Sequence, residues 1–131
     1  MTPESFNALD DHGPRILVVE DTVIVAVELE RMLREAGCRV VGPLNTLEQA
    51  LQAADREDLQ GALLDLNLHG RSSLPAADAL MERGVPVVLV TGYSVRSLPE
   101  KYRSLLHLEK PFTRAEFMRA IAEGFGCRTA G

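Results

Sequence analysis

Ile16-Leu17-Val18-Val19 is apolar throughout and stops at Glu20-Asp21, Ala62-Leu63-Leu64 stops at Asp65, and Pro86 to Val90 stops at Thr91-Gly92. A short strand with no polar face is covered on both sides, the condition of a strand inside a parallel sheet. Between the runs the spacing changes to helical. Ala26, Leu29, Leu33 and Ala36 predict one helix, closed by Gly37. Leu47, Ala50, Leu51 and Ala54, behind Thr46 as cap, predict a second, and Leu74 to Arg83, closed by Gly84, a third. Cys38 to Gly42 is a weaker strand, Ser94 to Tyr102 is brief and interrupted by Pro99, and Ser104 to Leu108 is a fifth strand. Thr113 then caps a closing helix with Phe117, Ala120 and Ile121 inward. Alternating strands and helices with right-handed crossovers make a three-layer α/β sandwich.

A chain of 131 residues, 46% hydrophobic and 25% charged, is sized for one such domain. Fourteen basic residues against nineteen acidic give a net charge of −5 and a pI near 5.2, which opposes attraction to nucleic acid or anionic lipid. No apolar run approaches the ~20 residues of a membrane helix. The opening residues, with Glu4, Asp10 and Asp11, do not have the pattern of a secretory signal, so a cytoplasmic location is expected. Residues 1–14 read as a flexible tail, 15–127 as the domain and 128–131 as a second tail. Cys38 and Cys127 match no metal-ligand spacing and read as reduced thiols.

Open parallel sheets collect their chemistry outside the carboxyl ends of the strands. There the first strand delivers Glu20 and Asp21, the third Asp65, the fourth Thr91 and the fifth Lys110, while the peripheral second strand delivers only Gly42-Pro43. Taken singly, each carboxylate is an ordinary strand end or helix cap, Thr91 a turn residue and Lys110 a surface charge. Taken together they are chemically matched. Two like charges ~4 Å apart cost about 4 kcal/mol at an effective dielectric of 20, so the acids need positive charge among them. Lys110, one of two lysines in the chain, supplies one charge, and a hard divalent cation such as Mg²⁺ is the natural remainder. An aspartate so neutralised can attack phosphorus, with Thr91 donating to one phosphoryl oxygen and Lys110 pairing with another. Crowding also predicts that Asp21→Asn raises stability in metal-free buffer. Lys110-Pro111 is expected to be cis, turning the chain to aim Lys110 inward.

Ile16 to Asp21, Ala62 to Asp65, Val90-Thr91-Gly92 and Lys110-Pro111-Phe112 resemble the four signature blocks of the receiver domain of two-component response regulators (CheY-like), over about residues 15 to 127. The resemblance implies a doubly wound (βα)5 flavodoxin-like fold with strand order 2-1-3-4-5. It also implies that Asp65 is the phosphoacceptor, and that Glu20, Asp21, Asp65 and the backbone carbonyl of Asn67 hold Mg²⁺. Thr91 is then the switch hydroxyl and Lys110 the phosphate-pairing lysine. The implied partners are a sensor histidine kinase and a downstream protein or phosphotransferase. Such a domain catalyses its own phosphorylation and slow dephosphorylation, and signals by protein contact or serves as a phosphate sink. The few residues beyond Arg128 suggest a stand-alone receiver.

Two departures from the family pattern bear on signalling. His107 stands three residues before the lysine, where most receivers carry Tyr or Phe, and His69 stands where many have Pro. Pro86 to Tyr93 is similar to a variant group with the motif Pro-Phe-x-Phe-Ala-Thr-Gly-Tyr, with Val87 and Leu89 in place of the two Phe. The expected switch set is therefore Thr91, Tyr93 and His107, with Tyr93 as the moving aromatic in a segment, 91–102, ordered by phosphorylation. The alternatives are a degenerate receiver that only binds, and a haloacid-dehalogenase-type phosphatase. The latter is looked for through Asp-x-Asp, where this chain has Glu20-Asp21-Thr22. A flavin site lacks a phosphate-cradling loop.

Overall fold

The structure, a computed structural model, describes residues 13–56, 58–92 and 94–127. Residues 1–12 of the expected 1–14 tail, the expected tail at 128–131, and Tyr93 lie outside the described residues. Strand β1 (Arg15–Val19) leads into α1 (Val23–Glu35), β2 (Arg39–Leu44), α2 (Leu47–Ala53) and β3 (Gly61–Asp65). A two-residue hairpin, β4 (Asn67–Leu68) and β5 (Arg71–Ser72), precedes α3 (Leu74–Glu82) and β6 (Val87–Thr91). A 3-10 turn (Val95–Ser97), α4 (Glu100–Arg103), β7 (Leu106–Glu109) and α5 (Arg114–Phe125) complete the chain.

The main sheet is parallel, in the order β2-β1-β3-β6-β7. With the hairpin left out this is the expected 2-1-3-4-5 order of a flavodoxin-like fold. Strand alternation divides the core in two. Leu17, Val19, Ala62, Leu64, Val87 and Leu89 face α2 and α3, while Ile16, Val18, Leu63, Val88, Val90 and Leu108 face α1 and α5. The central strands β1, β3 and β6 are buried on both faces apart from Arg15, which explains their uninterrupted apolar spelling. Cys38 and Cys127 are free thiols buried in the α1/α5 half.

Four local features depart from the sequence reading. Leu51 is 38% exposed, because its inward neighbours Leu47 and Ala50 already cover the sheet. Gly13 and Pro14 are tied down, their carbonyls accepting from Arg39 Nε and Arg39 N at 2.8 Å each. The second strand runs on through Gly42-Pro43, whose peptide is cis, to Leu44, and its register with β1 slips there. Gly42 has φ 103°, and a β-carbon there would come within 2.9 Å of the Val18 carbonyl, so glycine is required by both conformation and space. The chain after Asp65, expected as a loop through Asn67, His69 and Gly70, is the β4–β5 hairpin.

α5 begins with a full capping box: Thr113 accepts from the Glu116 amide at 3.0 Å, and Glu116 accepts from the Thr113 amide at 2.8 Å. This start fixes where the helix begins after the turn that follows Lys110. The Lys110–Pro111 peptide is cis.

Candidate functional site

Glu20, Asp65, Thr91 and Lys110 arrive at one rim because each ends, or directly follows, a strand of the same parallel sheet. Hydrogen bonds of the sheet run up to the rim itself: Glu20 N donates to Leu44 O at 2.8 Å, Leu66 N to Val90 O at 2.9 Å and Lys110 N to Thr91 O at 2.7 Å. Glu20, Asp65 and Thr91 are buried, and Asp21 and Lys110 close the rim toward solvent.

Glu20, Asp21 and Asp65 each bring a carboxylate oxygen within 4.8 Å of the others. Lys110 Nζ reaches between two of them, 3.2 Å from Glu20 Oε1 and 3.4 Å from Asp65 Oδ2. Asp65 Oδ1 accepts from the Asn67 amide at 3.1 Å, and Glu20 Oε2 accepts from the Thr22 amide at 3.1 Å. Asp21 Oδ2 accepts from the His69 amide at 2.8 Å. Three carboxylates and one ammonium leave two negative charges when all are ionised.

The protonation energetics follow from this crowding. Burial, then the neighbouring Glu20, push the Asp65 carboxyl up to about 7, against a weaker pull downward from Lys110. Burial works to lower the Lys110 ammonium, and attraction to Asp65 and Glu20 outweighs it, so its pKa is raised. Burial works upward on Asp21 too, but the His69 amide and further contacts hold it below the ordinary carboxylate range.

The donor set fits a hard cation. It is all oxygen and carries a surplus of two negative charges. Glu20 Oε1 is buried and, although near the lysine, accepts no well-directed hydrogen bond. A cavity of about 390 Å³, lined by Asp21, Asp65, Asn67, Gly70, Gly92 and Lys110, opens directly above the carboxylates. Asn67 is thus at the cavity, and its side chain accepts from Gly70 N at 2.8 Å. His107 is not at the rim: it is exposed on β7 and lines a separate groove against α5 with Glu116, Arg119 and Glu123.

Two features of the site were not legible in the sequence. One is the His69 amide on Asp21. The other is an apolar turn of α1 beside the rim, where Val23, Ile24 and Val27 are 73%, 82% and 57% exposed. A groove of about 540 Å³, lined by Ile24, Val25, Leu29, Pro111 and Phe112 among others, joins that turn to Lys110.

The profile described as the response regulator receiver domain matches residues 16–122. Among curated proteins, the chain is 29% identical over 111 residues to the transcriptional regulatory protein PdtaR of Mycobacterium tuberculosis, covering 82% of this chain and 54% of that one. It is 31% identical over 117 residues to the phyllosphere-induced regulator PhyR of Methylorubrum extorquens, covering 86% and 44%. The chain spans about half the length of these curated relatives. Among solved structures, SdrG of Sphingomonas melonis Fr1 superposes with a TM-score of 0.74 at 36% identity, over 84% of this chain and 94% of that one. The receiver domain of the sensor histidine kinase PA1611 of Pseudomonas aeruginosa, solved with magnesium in its active-site cleft, gives 0.70 at 27% identity, over 87% and 98%.

Proposed function

The chain belongs to the response regulator receiver domain family, and on that premise we propose that it accepts a phosphoryl group on Asp65 from a sensor histidine kinase, in the cytoplasm, with Mg²⁺ held by Glu20, Asp21, Asp65 and the Asn67 carbonyl. The observation that carries this reading is the bridge of Lys110 Nζ to both Asp65 and Glu20 in a rim that keeps two surplus negative charges. When bound, the cation supplies positive charge that lets the carboxylates stay ionised together and offsets the charge of an incoming phosphoryl group.

An Asp65 oxygen attacks the phosphorus of the donor, the phosphorus–nitrogen bond to the donor's histidine breaks, and that nitrogen leaves with a proton in exchange. Lys110 pairs with one phosphoryl oxygen and Thr91 donates to another. Water later cleaves the acyl phosphate, returning the carboxylate and releasing inorganic phosphate. The donor's own fold docks on the apolar turn of α1, which lies beside the acceptor and is rimmed by Lys110 and Phe112. Output is a protein contact, or the domain serves as a phosphate sink. Thr91 is the switch hydroxyl and Tyr93 the moving aromatic, since His107 faces solvent.

Incubation with acetyl phosphate and Mg²⁺ followed by intact-mass measurement tests the reading. One phosphoryl group is expected, lost with Asp65→Asn and with EDTA. An Asp65→Asn variant that labels as readily as the parent would place the acceptor elsewhere, and a parent that takes no phosphoryl group would leave a receiver that works only as a binding module.

A further inference from the structure

We propose that the backbone amide of His69 is a positioning group of the cation site, and that the His69-Gly70 turn holds Asp21 in its liganding pose. The inference rests on the reading of Asp21 as a cation ligand given above.

Strands β4 and β5 are joined by His69 and Gly70 alone, with φ of 53° and 83°. Positive φ at both central residues belongs to a type I′ turn, whose twist matches the strands it joins. His69 is the one non-glycine residue with positive φ among the described residues. Histidine tolerates this region better than bulkier or β-branched residues, but glycine or asparagine suits it more. In such a turn the amide of the first central residue takes no part in the ladder. Here it crosses 48 residues of sequence to Asp21 Oδ2 at 2.8 Å.

The same hairpin makes two further bonds of this kind, Gly70 N to Asn67 Oδ1 at 2.8 Å and Asn67 N to Asp65 Oδ1 at 3.1 Å. One hairpin thus holds two of the three rim carboxylates through its backbone amides. The imidazole is not the gripping group: it is 60% exposed, and its Nδ1 stands 3.7 Å from Asp21 Oδ2, beyond hydrogen-bond range. Proline at this position would offer no amide and could not adopt this φ. Outer contacts that orient a metal ligand typically change affinity by about 10- to 100-fold when removed.

Calorimetric titration of the whole chain with Mn²⁺ tests this, with metal-free melting curves run beside it. His69→Gly and His69→Ala keep the amide and are expected to bind within about twofold of the parent, while His69→Pro is expected to bind about tenfold more weakly or worse. Parent-like affinity in His69→Pro overturns the proposal. So does a loss in His69→Ala as large as in His69→Pro, since that assigns the effect to the ring. Because proline also cannot hold φ 53°, the amide itself is read by NMR as well. Asp21→Ala should move the His69 amide resonance upfield and speed its exchange at least about tenfold; an unmoved amide overturns the proposal. Asp21→Ala that keeps full Mn²⁺ affinity while the amide moves instead overturns the metal-site reading and leaves the clamp without a ligand to position.

Discussion

Lys110 Nζ stands 3.4 Å from Asp65 Oδ2, joining the ends of β7 and β3 across the intervening β6. The contact makes Lys110 part of the acceptor's electrostatics before any phosphoryl group arrives. Lys110→Met is expected to lower metal-free stability by about 1–2 kcal/mol, less than the roughly 3–5 of a fully buried pair, because the lysine side chain is 29% exposed. Urea denaturation in EDTA near pH 8 measures this. An unchanged midpoint would mean that the ammonium is solvated in the native protein.

Asp65 sets a pH dependence of the metal-free fold. Its carboxyl, ordinarily near 3.8, is pushed up to about 7 by burial and then by Glu20. The unfolded chain therefore releases this proton at lower pH than the native protein does. Between about pH 4 and 7 the native state binds more protons, so this group's contribution to stability falls as pH rises through the window and levels off above it. Asp65→Asn is expected to flatten the slope and to raise stability at pH 8 by on the order of 2 kcal/mol, under the roughly 4 that the full displacement converts to. Melting in EDTA across that range checks it, and a parent curve that is flat from pH 4 to 7 would be the contrary result.

The expectation that Asp21→Asn relieves the crowding changes with the structure. The His69 amide and its neighbours hold Asp21 below the ordinary carboxylate range, so its charge is favoured in the fold, and the load of repulsion falls on Asp65. Metal-free Asp21→Asn is expected to be no more stable than the parent at pH 8, by the same melting measurement.

Tyr102 is buried, donates its hydroxyl to Asp78 Oδ1 at 2.7 Å, and carries Lys101 over its ring at 5.0 Å. It anchors the irregular stretch after Thr91 to α3. Tyr102→Phe is expected to cost about 1 kcal/mol, below the roughly 1.5–3 of a bond to a charged group since Asp78 is partly exposed. Hydrogen exchange should rise in residues 94–105 before it rises in the sheet. Uniform exchange would argue against a local anchor.

Ile24 is 82% exposed, so Ile24→Ser is expected to change stability by less than about 0.5 kcal/mol. If the α1 turn receives the donor protein, the rate of transfer from a phosphorylated kinase should fall about tenfold relative to the rate from acetyl phosphate. An unchanged ratio would move donor docking elsewhere.

The layered fold and the rim residues were legible in the sequence for a local reason. A strand covered on both faces must be apolar along its length, and the first polar residue after it marks the sheet's carboxyl edge. Ile16–Val19 before Glu20, Ala62–Leu64 before Asp65, and Val87–Val90 before Thr91 each carry that mark without reference to one another. Helical spacing named Leu29, Leu33, Phe117 and Ile121 as buried by the same logic, and they are.

What tertiary structure alone decided lies where the deciding contact leaves no mark on residue type. The apolar pattern of α1 predicts a helix, but only the folded chain shows that Val23, Ile24 and Val27 are left exposed, with a groove between Ile24 and the loop carrying Pro111 and Phe112. Asp21 and Asp65 are the same residue type; burial, Glu20 and one backbone amide divide them into a carboxyl held below the ordinary range and one pushed above it. That amide belongs to His69, and every residue but proline has one. Its direction is set by backbone torsions in a hairpin that brings residue 69 to residue 21, so only the folded chain could assign it.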